Sequence, residues 1–122
     1  MHAMWAVGFA DEFDAEFDAL DEPVQDELLA QLDVVRHEGP QARRPRVDTL
    51  NGSKHANMKE LRFAAAGGEW RAAFAFDPRR TAIVLCAGNK AGAPQRQFYK
   101  ALIRKADTRF DAHLMRLKEK RR

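Results

Sequence analysis

Lys59-Glu60-Leu61-Arg62 and Trp70-Arg71 are separated by Ala65-Ala66-Gly67-Gly68. Glycine supplies the positive φ that tight hairpin turns need, so the flanking segments, 57–64 and 69–77, read as two strands folded back on one another. A hairpin symmetrical about that quartet sets Arg62 directly opposite Arg71. Like charges so placed destabilise a sheet, and a chain that keeps two arginines there has a use for them in gripping an anion. The structural alternative is that Glu60 or Glu69 neutralises them. The arginine fork matches two phosphate oxygens, so the chemistry such a pair would serve is phosphate chemistry.

Lys90 follows an apolar segment at 81–89 that reads as a third strand, and would approach the same place. Clustered cations depress the pKa of a lysine among them, which makes Lys59 or Lys90 a candidate proton carrier. His55 is the histidine near this motif and a candidate base or acid, with a solvated loop histidine as the bland alternative. Arg43, Arg44, Arg46 and Lys54 decorate the irregular stretch 41–56 and suit phosphate steering better than catalysis. Tyr99 either stacks on a base or joins Phe98 in the core.

Other chemistries fit poorly. His2, His37, His55 and His113 are scattered and a single cysteine offers no ligand pair, so neither a metal nor another cofactor is expected. Gly88-Asn89-Lys90-Ala91-Gly92 lacks the spacing of a phosphate-binding glycine loop, and the lone serine, Ser53, is a poor nucleophile candidate. Asp14 and Asp18 read as part of a solvated helix face.

The elements that must hold these residues can be read from periodicity. Trp5, Val7 and Phe9 alternate with small residues as in a short strand. Phe13, Phe17 and Leu20 then give an amphipathic helix filled out with acids. Asp21-Glu22-Pro23 opens a second helix with Val24, Leu28, Leu32 and Val35 as its buried stripe, and Gly39-Pro40 closes it. Residues 41–56 read as a loop. After the three strands, a basic helix begins near Pro94 or Gln95 with Phe98, Leu102, Ala106, Phe110, Leu114 and Leu117 inward, and residues 118–122 are expected to fray. The expectation is one α+β domain over residues 1–122, in the order β-α-α-β-β-β-α, with helices against one face of an antiparallel sheet.

At 122 residues, 45% hydrophobic and 32% charged, the chain suits a single globular domain with its own core. Cys86 lies in an apolar run and reads as a small buried hydrophobe, in keeping with a reducing cytoplasm. The start of the chain is not basic and no run approaches the roughly 20 apolar residues of a membrane span, so neither secretion nor insertion is expected. Residues 1–40 carry eleven acids and one base, Arg36, whereas residues 41–122 carry twenty bases and seven acids. The basic portion suits a polyanion, and the acidic portion would face solvent or orient that polyanion by repulsion.

Lys59-Glu60-Leu61-Arg62, Trp70-Arg71, Phe74-Ala75-Phe76-Asp77, the apolar third strand and Asn89-Lys90 together resemble the toxins of the RelE/ParE superfamily, in particular the phage-derived, HigB-like branch. Two features depart from the pattern: relatives often carry two adjacent lysines where this chain has Asn89-Lys90, and the last helix is unusually basic. The resemblance implies a RelE-like fold and a cytoplasmic type II toxin that cleaves messenger RNA, usually on the ribosome. It also implies a cognate helix-turn-helix antitoxin through which the pair could contact operator DNA. Cleavage would use the RNA's own 2′-hydroxyl, with Arg62, Arg71 and Lys90 around the phosphate. The alternatives within the superfamily are a non-catalytic inhibitor of a protein such as gyrase, or an inactive regulatory relative.

Overall fold

The computed structural model describes residues 4–120. His2, Arg121 and Arg122 lie outside the described residues. The elements are β1 (Ala6–Phe9), α1 (Asp11–Asp18), α2 (Glu22–Glu38), a short 3-10 turn (Gly39–Gln41), β2 (Val47–Thr49), β3 (Lys59–Ala65), β4 (Gly68–Phe76), β5 (Thr81–Asn89) and α3 (Gln95–Glu119). The strands form one sheet in the order β1-β5-β4-β3-β2. The fold is α+β, with three departures from the sequence expectation. The loop at 41–56 contains a short strand, β2, which borders β3. β1 runs parallel to β5 while every other pairing is antiparallel. The helices cover both faces of the sheet rather than one.

One face carries Leu61, Phe63, Ala72, Phe74, Ala82 and Val84, and on it α1 and α2 bury Phe13, Val24, Leu28, Leu32 and Val35. The other face carries Ala73, Ala75, Ile83, Leu85 and Cys86, and on it α3 buries Leu102, Ala106 and Phe110. This explains why β5 is apolar on both sides, as a covered strand must be. Cys86 is 1% exposed, and burial pushes its thiol up to about 12, so it packs as a hydrophobe and does not ionise. α3 runs through Glu119, so Lys118 and Glu119 are helical where fraying was expected. Among the described residues no helix is long and apolar enough to cross a membrane.

Three local devices set the register. The β3–β4 connection is the pair Ala66-Gly67 alone, both at positive φ (50° and 76°), as a tight hairpin turn requires. Gly39, at φ +63°, ends α2 at a point where a Cβ would lie 2.2 Å from Trp5 Nε1, so only glycine fits. Between β4 and β5, Ala73 pairs with Cys86 but Phe74 with Val84, which leaves Leu85 as the extra residue of a bulge. Because of it Leu85 and Cys86 both face α3.

The acids of α1 are not all solvated. Glu16 takes both terminal nitrogens of Arg109 at 2.5 and 2.8 Å, and Arg109 Nη1 also donates to the bulge carbonyl of Leu85 at 2.8 Å. Arg116 reaches Glu12 and Asp11. Two bases of α3 are therefore spent on clamping α1, and part of the charge asymmetry is internal.

Candidate functional site

The hairpin register is Arg62↔Arg71, and Arg71 in turn pairs with Gly88 of β5. These positions form one row across the sheet on the face covered by α3. Glu60 lies one pleat along β3 on that face, opposite the small Ala73, which leaves it room. Glu60 is 3% exposed, and its Oε1 accepts a 2.7 Å hydrogen bond from Arg62 Nε. Its other oxygen, Oε2, is buried with no hydrogen-bond partner among the described residues. Asp48 of β2 stands 3.5 Å from Arg62 Nη2 and is itself held by Arg44 at 2.9 Å. Arg62 is thus neutralised in the way the structural alternative required, and the hydrogen bond it donates to Glu60 raises its pKa.

Arg71 is different. Its Nε donates to the hydroxyl of Tyr99 at 3.3 Å and its Nη1 to the carbonyl of Trp70 at 2.9 Å, and among the described residues no carboxylate pairs with it. Tyr99 enters from the first turns of α3. Burial raises its phenol pKa, Glu60 raises it further, and the hydrogen bond from Arg71 opposes both. The phenol consequently stays protonated through the neutral range and can act as a donor. Gly88, at the end of the row, adds no side chain, and a Cβ there would meet Phe98 at 3.1 Å.

Lys90 ends the same edge of the site. Its backbone N–H donates to the carbonyl of Glu69 at 2.7 Å, which fixes it next to the start of β4, close in sequence pairing to Arg71. Asn89 has a turn-forming role: its side-chain oxygen accepts the N–H groups of Glu69 and Ala91 at 3.1 and 3.0 Å.

The other sequence candidates stand elsewhere. Lys59 shares the face of Leu61 and Phe63, opposite to Arg62, and lines a shallow depression with Arg43, Arg44 and Thr49. His55 Nε2 pairs with Asp111 Oδ1 at 2.8 Å and packs edge-on against Phe110. Asp111 lies twelve residues along α3 from Tyr99, about 18 Å at the helical rise, so His55 does not reach the row of arginines. It serves instead, with Lys54 on Asp111 and Ser53 on Asp107, to fasten the loop before β3 onto α3. Arg44 is occupied by Asp48, and Arg46 by Gln31 at 2.6 Å and Glu38 at 3.7 Å. Arg43 is exposed.

Sequence reasoning named Glu60 only as one of two possible neutralising partners and gave Tyr99 only a stacking or core role. The signal for Glu60 was present: residues two apart on a strand share a face, and Glu60 is two before Arg62.

A five-stranded sheet with this strand order, two helices on one face and one on the other, defines the RelE class of fold. An arginine double mutant of the E. coli toxin RelE in its free state superposes with a TM-score of 0.59 at 14% identity, over 84% of this chain and 96% of that one. The archaeal RelE–RelB complex from Pyrococcus horikoshii OT3 gives 0.52 at 14% identity, over 74% and 99%. In sequence, residues 15–111 match the family described as phage derived protein Gp49-like (DUF891). The chain belongs to that family, and its fold is RelE-like. Two Mycobacterium tuberculosis relatives bear the names of candidate toxins. HigB2 is 44% identical over 106 residues, 86% of this chain, and HigB3 is 46% identical over 76 residues, 62% of this chain. The chain spans 52% of the length of the first and 65% of the second.

Proposed function

We propose that the protein is the toxin of a type II toxin–antitoxin pair and that it arrests translation by cleaving messenger RNA on the ribosome. The observation that carries this reading is Arg71, a guanidinium without a carboxylate partner among the described residues, held between Arg62 and the Tyr99 phenol. A phosphodiester on that row meets the free fork of Arg71, with Arg62, already held by Glu60, beside it. The 2′-oxygen attacks phosphorus, the bond to the 5′-oxygen breaks, and the products carry a 2′,3′-cyclic phosphate and a 5′-hydroxyl. Arg71 stabilises the charge that develops on the phosphorane, and a single donor of this kind is worth on the order of 100-fold to 1,000-fold in rate. Arg62, pinned by Glu60, orients the phosphate, and Tyr99 is a proton donor for the leaving 5′-oxygen. Lys90, at that end of the sheet, is assigned the proton exchange with the 2′-hydroxyl. So sparse a set of acid and base groups fits an enzyme that works on RNA already positioned by the translating ribosome.

The relatives with toxin names and the solved RelE–RelB pair support a protein antitoxin as partner. An antitoxin with a helix-turn-helix domain would also bring the pair to operator DNA. The test is to induce the protein in cells and map transcript 5′ ends. New ends within open reading frames, bearing 5′-hydroxyls and absent when Arg71→Ala is induced, support the reading. Growth arrest without new ends would mean that the protein poisons a protein target instead.

A further inference from the structure

The second half of β5 has a neighbour on one side alone. β1 pairs with β5 only from Thr81 to Val84, Ala10 N donates to Val84 O at 2.9 Å, and Arg109 takes the carbonyl of Leu85. Further along, Gly88 pairs with Arg71, and two residues on Lys90 N donates to Glu69 O in the same ladder. Gly88 and Lys90 therefore turn their backbone groups to β4, and Ala87 and Asn89 turn theirs outward. The outward N–H and C=O of Ala87 have no partner among the described residues. Against this open run lies a recess of about 140 Å³, with Ala87 and Gly88 on one side and Phe98, Ala101 and Lys105 of α3 on the other. Gly88 belongs to two places at once, since it ends the row begun by Arg62 and Arg71 and also lines the recess. Consecutive helix residues are turned about 100° apart. Tyr99 accordingly meets Arg71 while Phe98, its ring at 87° to the phenol, faces the recess. A second depression, about 390 Å³, continues along α3, sharing Ala101 and Lys105 and adding Arg104 and Thr108. Arg104 and Lys105 are exposed, and neither forms an ion pair among the described residues.

A free backbone donor and acceptor side by side, an aromatic ring beside them and cations at the mouth are complementary to a planar, polar-edged ring that carries an anion, which is a nucleotide. An added peptide strand fits poorly, because the open run is three residues long, closed at one end by the Leu85–Arg109 contact and at the other by the turn that Asn89 makes with Ala91. We propose that the recess is a base-binding subsite, which takes the base of the nucleotide adjoining the phosphate held at Arg71. Ala87 presents its N–H and C=O to the hydrogen-bonding edge of the base, Phe98 packs against the ring, and Lys105 meets the nucleotide's own phosphate. Arg104 then carries the RNA onward along α3, which gives this part of the helix's basic surface a use distinct from the clamp on α1. The proposal rests on the ribonuclease reading and deepens it: the residues that favour one cleavage site over another lie on the open edge of β5 and on α3, apart from those that act on the phosphate.

The experiment titrates the full chain with the four nucleoside 5′-monophosphates, with ribose 5-phosphate and with inorganic phosphate, and follows amide shifts by NMR. The nucleotides are expected to saturate shifts at Ala87, Gly88 and Phe98, whereas ribose 5-phosphate and phosphate should move Arg71 and leave Ala87 in place. Ala101 is exposed on α3, so Ala101→Leu fills the recess without disturbing the core. That variant should weaken nucleotide binding about tenfold or more, as the loss of a stacked base does, and keep the response of Arg71 to phosphate. In a reconstituted translating system Ala101→Leu should redistribute cleavage among sites, and Lys105→Gln should lower it at all of them in a salt-dependent way. Shifts at Ala87 no larger with nucleotides than with ribose 5-phosphate, wild-type nucleotide affinity in Ala101→Leu, or an unchanged distribution of cleavage sites in that variant would overturn the proposal. A wild-type chain that cuts no RNA would sink the ribonuclease reading instead, while the titration still decides whether the recess takes a base.

Discussion

Arg71 Nε lies 3.3 Å from the hydroxyl of Tyr99, and that contact joins β4 to α3 across the face where Arg62 and Glu60 also converge. One carboxylate therefore governs a guanidinium and a phenol together. Tyr99 is the only tyrosine in the chain, so its titration can be followed by ultraviolet difference absorbance without ambiguity. Burial and Glu60 hold the phenol above its ordinary value. In Glu60→Gln the phenol should titrate at lower pH than in the wild type while remaining raised by burial, and an unchanged titration would remove Glu60 from the network.

The clamp between α1 and α3 predicts a pH dependence. The hydrogen bonds from Arg109 hold the carboxyl of Glu16 below its ordinary value, against the opposing push of burial. A carboxyl with a depressed folded-state pKa contributes stability that is present above its unfolded value and lost as pH falls through the folded one. Arg109→Met should lower stability at neutral pH, and the gap should narrow in acid as Glu16 protonates in the wild type. A residual cost of about 1–3 kcal/mol should persist at all pH values, because Leu85 O loses its donor. Glu16 is 43% exposed, so the acid-sensitive share is the smaller one. Thermal melts across the acid range provide the check, and a gap independent of pH would contradict the clamp's ionic part.

Much of this fold is legible in the sequence because its signals are local. Helix stripes such as Val24, Leu28, Leu32 and Val35, and the glycine-bearing hairpin that sets Arg62 against Arg71, are repeated or punctuated patterns. What escaped depends on contacts distant in sequence. β2 is three residues long and is a strand only because β3 lies beside it. The parallel pairing of β1 and the placement of α3 on the second face follow from chain routing, and the bulge at Leu85 breaks the alternation from which faces are read. In the site, nearness along the chain misled: His55 and Lys59 sit close to the motif in sequence, yet one is drawn onto Asp111 and the other faces away, while Tyr99 arrives from α3.

Gly39 offers a test of the α2 terminus. Its positive φ and the approach of Trp5 leave no place for a Cβ, so Gly39→Ala should cost at least about 1–3 kcal/mol, whereas Gly67→Ala, with open space around it, should show only the conformational part. Equal melting temperatures for Gly39→Ala and the wild type would contradict this packing.

An anion-binding row predicts a specific ion effect. Phosphate or sulfate should raise the melting temperature more than chloride at equal ionic strength, since a ligand bound only by the folded state stabilises it by mass action. Sulfate also strengthens folding by exclusion from the surface, so the informative quantity is the difference from Arg71→Gln. Because Glu60 already occupies Arg62, the single change at Arg71 should remove most of the extra gain. The same gain in Arg71→Gln would place the anion elsewhere.

The measurement closest to the central claim is the rate at which purified protein cleaves messenger RNA in a reconstituted translating system, for the wild type, Arg71→Ala and Arg43→Ala. Arg43 is exposed and outside the row, so its loss should weaken cleavage little and in a salt-dependent way. With melting curves unchanged, Arg71→Ala should lower the rate on the order of 100-fold to 1,000-fold, through loss of a donor to the developing phosphorane charge. Cleavage by Arg71→Ala at the wild-type rate would contradict the assignment of this row as the site of phosphate chemistry.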